Sequence, residues 1–366
     1  MLLTGFNIAH YLLDKGYLSP DALLDGTFTA HQSSSRNTNY LINRDQPGGV
    51  ALFVKQVQAW DQEKIGTLRT EATCYWLANN EADYAQLKTF LPRYIEFDPQ
   101  NHILITEAVE EAINLNDFYW QQKTFPPALA TRQAELLSAF HKTITQATQD
   151  GPSLRLFRRQ QPVVFQWSAS GFPNYGKQRS EAERQMVQLI TQNGDYMQKL
   201  EAVRKQWQAT SLTHGDIKPA NFLINRMALQ TGRYDLRLID WETADIGDPC
   251  WDAAAIFQSY LFYWVMYEPL TGQSGQGKYG FALDVMQPSM RQFWQTYVGL
   301  MGWTTDEARA NLLRTVGYCA LKLIHTCYES IQQAPAMTTH TARMLQLSLN
   351  MLRSPDEAIR AVLSIP

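Results

Sequence analysis

The stretch His214-Gly215-Asp216-Ile217-Lys218-Pro219-Ala220-Asn221, followed by Leu238-Ile239-Asp240-Trp241-Glu242, constrains this chain more than any other feature. Asp216 and Asn221 precede a short apolar run, Phe222 to Ile224, then a polar turn carrying Gly232, then a second apolar run that delivers Asp240. The pattern predicts a loop feeding a β-hairpin, which gathers Asp216, Asn221 and Asp240 at one end. Phosphoryl transfer uses such a trio: a carboxylate to accept the proton of the attacking hydroxyl, and an amide oxygen with a second carboxylate to hold Mg²⁺ on the phosphates. The plainer alternative is a turn whose Asp and Asn side chains bond the local backbone.

In these two blocks the chain resembles the aminoglycoside phosphotransferase and choline kinase-like family, distant relatives of the protein kinases. The resemblance implies an α+β, two-lobed protein-kinase-like fold. A small antiparallel-sheet N-lobe with a helical cap, residues 1–109, would clamp ATP; a large, mainly helical C-lobe, residues 110–366, would carry catalysis and acceptor binding. It implies Asp216 as catalytic base and Asn221 as a metal ligand. Asp240 becomes the counterpart of the Asp that opens the D-F-G segment of protein kinases, and so a second metal ligand. One position departs from the pattern: many small-molecule kinases of this family have His, Trp or Gln two residues after the base, where this chain has Lys218. A lysine there offsets charge on the transferring phosphoryl group, which makes Lys218 a catalytic candidate; otherwise it is a solvated loop lysine.

Before the motif, Gly26 to His31, Tyr40 to Asn43 and Val50 to Lys55 read as an antiparallel meander behind a helical stretch at 6–24. The connection Gln32 to Asn39 is small and polar without glycine. The family often carries a polar pair here, so Ser34 and Ser35 are candidates to cradle phosphates, against the alternative of an ordinary polar hairpin loop. Lys55 ends an apolar strand; in the kinase-like reading it contacts the α- and β-phosphates and is held by a glutamate of the next helix. That helix is expected at about 67–79, with Glu71 as the partner and Glu63 as the fallback. Strands follow at 90–97 and 101–109. Thr106 to Val109, including Glu107, would then be the hinge that pairs its main chain with the adenine edge.

Further on, helical patterning predicts a helix over 129–144, with His141 as a core or boundary histidine, and another over 180–207. Between them lies a basic, aromatic insertion at 150–180, with Arg155, Arg158, Arg159, Lys177 and Arg179 beside Phe157, Phe165, Trp167, Phe172 and Tyr175. It is either a solvated loop packed by its own aromatics or a surface for an acidic or peptide acceptor. His214 is expected to support the loop, and Asp252 to cap its own helix and brace the loop backbone. Glu242 and Asp245 read as supporting or surface groups, with facing the acceptor or the metal as the alternative. Helices are expected at roughly 252–268, 288–301, 305–333 and 338–363, with Gly272 to Gly280 as a lid or exposed loop.

Composition narrows the function classes. With 366 residues, 45% of them hydrophobic, the chain can bury one large or two moderate cores. A net charge of -3 and a pI near 6.2 give no footprint for nucleic acid or an anionic membrane. Cys74, Cys250, Cys319 and Cys327 lack metal spacing and read as reduced thiols of a cytoplasmic protein. No secretory signal is expected at the N-terminus, and the apolar segment 253–267 reads as a buried helix. The expectation is therefore a kinase using ATP, with GTP open, and Mg²⁺. Its acceptor is a hydroxyl of a small metabolite or aminoglycoside-like compound. The alternatives are a kinase for Ser or Thr of a peptide, favoured by Lys218 and the insertion, and a non-catalytic nucleotide-binding pseudokinase.

Overall fold

The computed structural model describes residues 1–34, 38–44, 50–109, 111–143, 152–167, 180–267 and 281–366. In chain order the elements are α1 (Ile8–Asp14), α2 (Pro20–Leu24), β1 (Phe28–Ser34), β2 (Thr38–Arg44), β3 (Leu52–Gln56), α3 (Gln62–Asn80), β4 (Tyr94–Asp98), β5 (Ile103–Glu107) and β6 (Ala112–Asn114). Next come α4 (Leu115–Gln122), α5 (Pro127–His141), α6 (Glu181–Gln192), α7 (Gly194–Arg204), β7 (Ser211–Thr213), β8 (Phe222–Asn225), α8 (Ala228–Thr231), β9 (Arg237–Leu238) and β10 (Asp245–Gly247). The chain ends in α9 (Pro249–Tyr267), α10 (Leu283–Met301), α11 (Thr305–Ser330), α12 (Thr339–Arg353) and α13 (Pro355–Glu357). They form two compact units, residues 1–115 with 220–244, and residues 116–219 with 245–366. Within the first unit β6 pairs antiparallel with β8, and this ladder joins the hairpin to residues 1–115.

The first unit is built on an antiparallel sheet of order β1-β2-β3-β5-β4. Alternation along the central strands sends Ile42, Leu52, Val54, Ile103 and Ile105 into one core, where Ile8, Tyr11 and Leu12 of α1 and Ala22 of α2 meet them. Each such buried aliphatic side chain contributes roughly 1.5–3 kcal/mol. The same alternation sends Lys55, next to Val54, to the opposite face. Polar ties fix the N-terminal segment on the sheet: Gln56 Oε1 accepts from Leu3 N at 2.8 Å, and Tyr11 Oη donates to Asp98 at 3.1 Å. The meander is as expected, but its first connection is shorter, because β1 runs to Ser34 and β2 starts at Thr38. The next helix starts earlier than expected, at Gln62, because Asp61 caps it by accepting from Lys64 N at 3.1 Å. The strand expected from Phe90 begins at Tyr94, just past Pro92, which has no N–H for the ladder.

The second unit is mostly helical. The expected 180–207 helix is two helices, since the Asn193 side chain caps α7 by accepting from Tyr196 N at 3.1 Å. Capping boxes at Ser180/Glu183 and Thr304/Glu307 set the starts of α6 and α11. Helix α9 is buried along most of its length, and Phe257 packs edge-on against Phe293 of α10 at 5.6 Å between ring centroids. Among the described residues no helix is long and apolar enough to cross a membrane. Strands β7 and β10 pair antiparallel, and Gly247 is required there: a Cβ would lie 2.7 Å from Thr213 Oγ1. Ser35, Lys177, Arg179, Phe172, Tyr175 and the Gly272 to Gly280 segment lie outside the described residues.

Candidate active site

In the first unit, Lys55 is the organising group. It lies on β3 between Asn39 of β2 and Leu104 of β5, so the sheet fixes its backbone on both sides. Its Nζ is 2.7 Å from Glu71 of α3, 2.9 Å from Asp240 and 3.2 Å from Glu242. Glu71 is therefore the partner, and the fallback Glu63 lies on the exposed first turn of α3. Burial alone would lower the lysine's pKa, but Glu71, then Asp240 and Glu242, more than reverse this and hold it well above the usual lysine value. Glu71 is pushed up by its own burial, with Lys55 opposing. One ammonium thus serves three carboxylates, and the cluster keeps an excess of negative charge.

Those three carboxylates present oxygens within 4.8 Å of one another, close enough to hold one metal ion. An all-oxygen, anionic donor set suits a hard divalent cation such as Mg²⁺. Asp240 adopts a left-handed backbone, φ 66°, ψ 55°, a conformation that Asp tolerates better than most residues and that tends to cluster at functional sites. The hairpin explains how Asn221 arrives beside it. Phe222 pairs with Leu238, and Ile239 N donates to Asn221 O at 3.0 Å, so the residue before Asp240 is bonded to Asn221. Asn221 is itself buried. Glu242, read from sequence as a supporting group, is a direct member of the cluster; the signal available was its position in the same turn as Asp240.

The other nucleotide-side candidates fall at strand ends. Ser34 closes β1 opposite Thr38. At the expected hinge, Glu107 N donates to Arg93 O and Ala108 N to Ala51 O, both at 2.8 Å, and the Glu107 carboxylate pairs with Arg93 at 2.6 Å. The N–H groups of Glu107 and Ala108 are therefore engaged within the unit, and Val109, which follows them, is half-buried.

In the second unit, the loop after β7 is held through its backbone. Asp252, fully buried in the first turn of α9, accepts from His214 N at 2.6 Å and Gly215 N at 3.0 Å. His141 Nε2 lies 3.3 Å from the same carboxylate and its Nδ1 lies 2.6 Å from Tyr297 Oη. Burial would raise the pKa of Asp252, but the His141 hydrogen bond and charge, then His214, overcome it and hold the acid below the usual carboxylate range. The expected brace is present. The expected helix cap is not Asp252 but Asp248, whose carboxylate accepts from Cys250 N at 3.0 Å. His214, buried, accepts from Asp216 N at 3.3 Å through Nδ1, and Gly215 takes φ 81° to make the turn. Asp216 then projects at the surface with Lys218 Nζ 2.5 Å from its Oδ2. The basic insertion touches this region: Asp245 accepts from Arg159 N at 2.7 Å and Gln160 N at 2.8 Å.

A sequence model described as the phosphotransferase enzyme family matches residues 27–285, a span that contains Lys55, Glu71, Asp216, Lys218, Asn221, Asp240 and Glu242. The chain belongs to that family. It is a phosphotransferase whose acceptor group is a hydroxyl. Among solved structures, this phosphotransferase is similar to an ethanolamine kinase of Plasmodium vivax, at 12% identity over 96% of this chain and 88% of that one, with a TM-score of 0.58. It is also similar to the macrolide 2′-phosphotransferase MphH of Brachybacterium faecium, at 14% identity over 94% and 97%, with a TM-score of 0.50. These likenesses show a shared protein-kinase-like fold, as expected from the sequence. Among curated proteins none matches the chain.

Proposed function

We propose that this phosphotransferase moves the γ-phosphoryl group of ATP, with Mg²⁺, to a hydroxyl of a small metabolite. The observation that carries the reading is the cluster in which Lys55 meets Glu71, Asp240 and Glu242 within 3.2 Å. A lysine held by one buried glutamate and facing two more carboxylates is arranged to meet phosphate oxygens while the carboxylates take a divalent cation. Asp240 and Asn221 would hold Mg²⁺, with Glu242 beside them. Bound there, the ion would neutralise charge on the β- and γ-phosphates.

The remaining roles belong to the chain's own groups. Asp216 accepts the proton of the acceptor hydroxyl as the new O–P bond forms and the bond to the departing ADP breaks. Lys218, whose Nζ lies 2.5 Å from it, brings positive charge toward the phosphoryl group. Ser34 and Ser35 contribute to phosphate contacts, and the main chain at Val109 to adenine. Asp252 and His214 hold the Asp216 backbone so that the base does not drift, since small misplacements of a reacting group are costly. The test is a transfer assay with purified protein, Mg²⁺ and ATP or GTP against sugars, amino alcohols and Ser/Thr peptides, read by mass. A gain of one phosphate on a small hydroxyl compound is expected; phosphate appearing on peptides alone would replace the small-molecule reading.

A further inference from the structure

Lys322 lies on α11, and its Nζ stands 3.7 Å from the centroid of the Trp251 ring. That ring is fastened to the loop that carries the base: Trp251 Nε1 donates to Gly215 O, immediately before Asp216, at 3.3 Å. The ammonium is therefore tied, through one indole, to the place where an acceptor hydroxyl must arrive. It is also short of partners. Among the described residues Lys322 makes no ion pair or hydrogen bond, whereas Arg314 pairs with Asp248 at 3.0 Å and Lys218 with Asp216 at 2.5 Å. The residue is half-buried, and the Trp251 ring face lies beneath its ammonium.

A half-buried ammonium over a ring face, with no acceptor among the described residues, leaves donor capacity that an anion can fill. Burial draws the Lys322 pKa down to about 8, while Asp252, then Asp216, Cys319 and Glu329 pull the other way. Neither Asp252 nor Glu329 is at pairing distance: Asp252 is engaged by the loop backbone and His141, and Glu329 faces His325 at 3.9 Å. The same lysine blocks another use of the site. A cationic acceptor would meet repulsion there, because the Trp251 face beside the loop already carries a built-in cation.

We propose that Lys322 binds the acceptor and selects a hydroxylated acid, its ammonium receiving an anionic group of the substrate while the hydroxyl reaches Asp216. This rests on the kinase reading above and names its substrate class. A carboxylate and a phosphate ester share the required chemistry, so both sources belong in the test.

The experiment measures kcat/KM with Mg-ATP for matched acceptors: glycerate, glycerol 3-phosphate and glycerol; gluconate and sorbitol; and choline and ethanolamine as cations. The expected result is at least a tenfold preference for one or more acids over the neutral compound of the same skeleton. Lys322→Met should remove that preference, chiefly through KM, leaving turnover of any neutral acceptor within a few-fold; Lys322→Arg should keep it, which separates a charge role from loss of fold. Carboxylate and phosphate acids ranking differently would say which source the site takes. Highest activity on choline or ethanolamine overturns the proposal, as does an acid preference unchanged in Lys322→Met, or nucleotide binding with no acid turned over. A folded protein that binds no nucleotide would instead overturn the kinase reading itself.

Discussion

The two units hold their functional carboxylates by opposite means. In the first, Asp240 and Glu242 are placed by charge, gathered round the single ammonium of Lys55, and their shared negative excess is a demand for cations. In the second, Asp216 is placed by backbone: Asp252 takes two consecutive N–H groups of the loop and His214 a third, and none of those bonds uses the Asp216 carboxylate. A group that must bind a metal gains from a strong local field, whereas a base that must release and accept a proton gains from fixed position. The contrast predicts that mutations in the first unit act on nucleotide and metal affinity, and mutations in the second on turnover.

The largest effect should come from Asp216→Asn. With the proton acceptor gone, kcat is expected to fall by about a thousandfold or more, while Mg-ATP affinity and melting temperature stay close to the parent. A similar fall in nucleotide affinity would erase the distinction between the units.

Asp252→Asn comes next and should combine two losses. The loop loses its charged acceptor, so kcat should drop by about ten- to a hundredfold through misplacement of Asp216, and stability should fall by about 1–3 kcal/mol through weakened buried hydrogen bonds. The pH dependence has a definite sign. A carboxyl depressed in the folded state contributes stability that is present above its unfolded value, near 3.9, and is lost as pH falls through the folded value. Acid titration of melting temperature should therefore be shallower in Asp252→Asn than in the parent below about pH 4.

A smaller effect is expected for Glu71→Gln. Lys55 keeps Asp240 and Glu242 but loses its buried tether, so KM for ATP should rise by roughly tenfold with a lesser change in kcat. Glu63→Gln should change neither, because Glu63 lies on the exposed first turn of α3. Equal effects at the two positions would mean that the Lys55–Glu71 pair is not what sets nucleotide affinity.

Much of this arrangement was legible in the chain, and its limits were physical. The hairpin could be read because an apolar run, a glycine turn and a second apolar run have few other folds, and Asp240 follows from its end. Lys55 and Glu71 could be paired because strand alternation and helix phase are local. Caps were harder: Asp61 and Asn193 decide where α3 and α7 begin, yet each is one polar residue among many until its side chain is seen accepting a backbone N–H. Glu242 looked like a supporting group because sequence does not show how tightly a turn closes on a lysine 187 residues away. The His141–Asp252–Tyr297 contact and Lys322 over Trp251 join helices distant in sequence, and no periodicity encodes such meetings.

The central claim is that the Lys55 cluster is a Mg-nucleotide site, and calorimetry of ATP binding with and without Mg²⁺, in the parent and in Asp240→Asn, tests it most directly. The account predicts ATP binding that strengthens by about tenfold or more with Mg²⁺ in the parent, and loss of that increment in Asp240→Asn with the fold intact. Equal affinity with and without the metal, or a mutant that keeps the full increment, would contradict it.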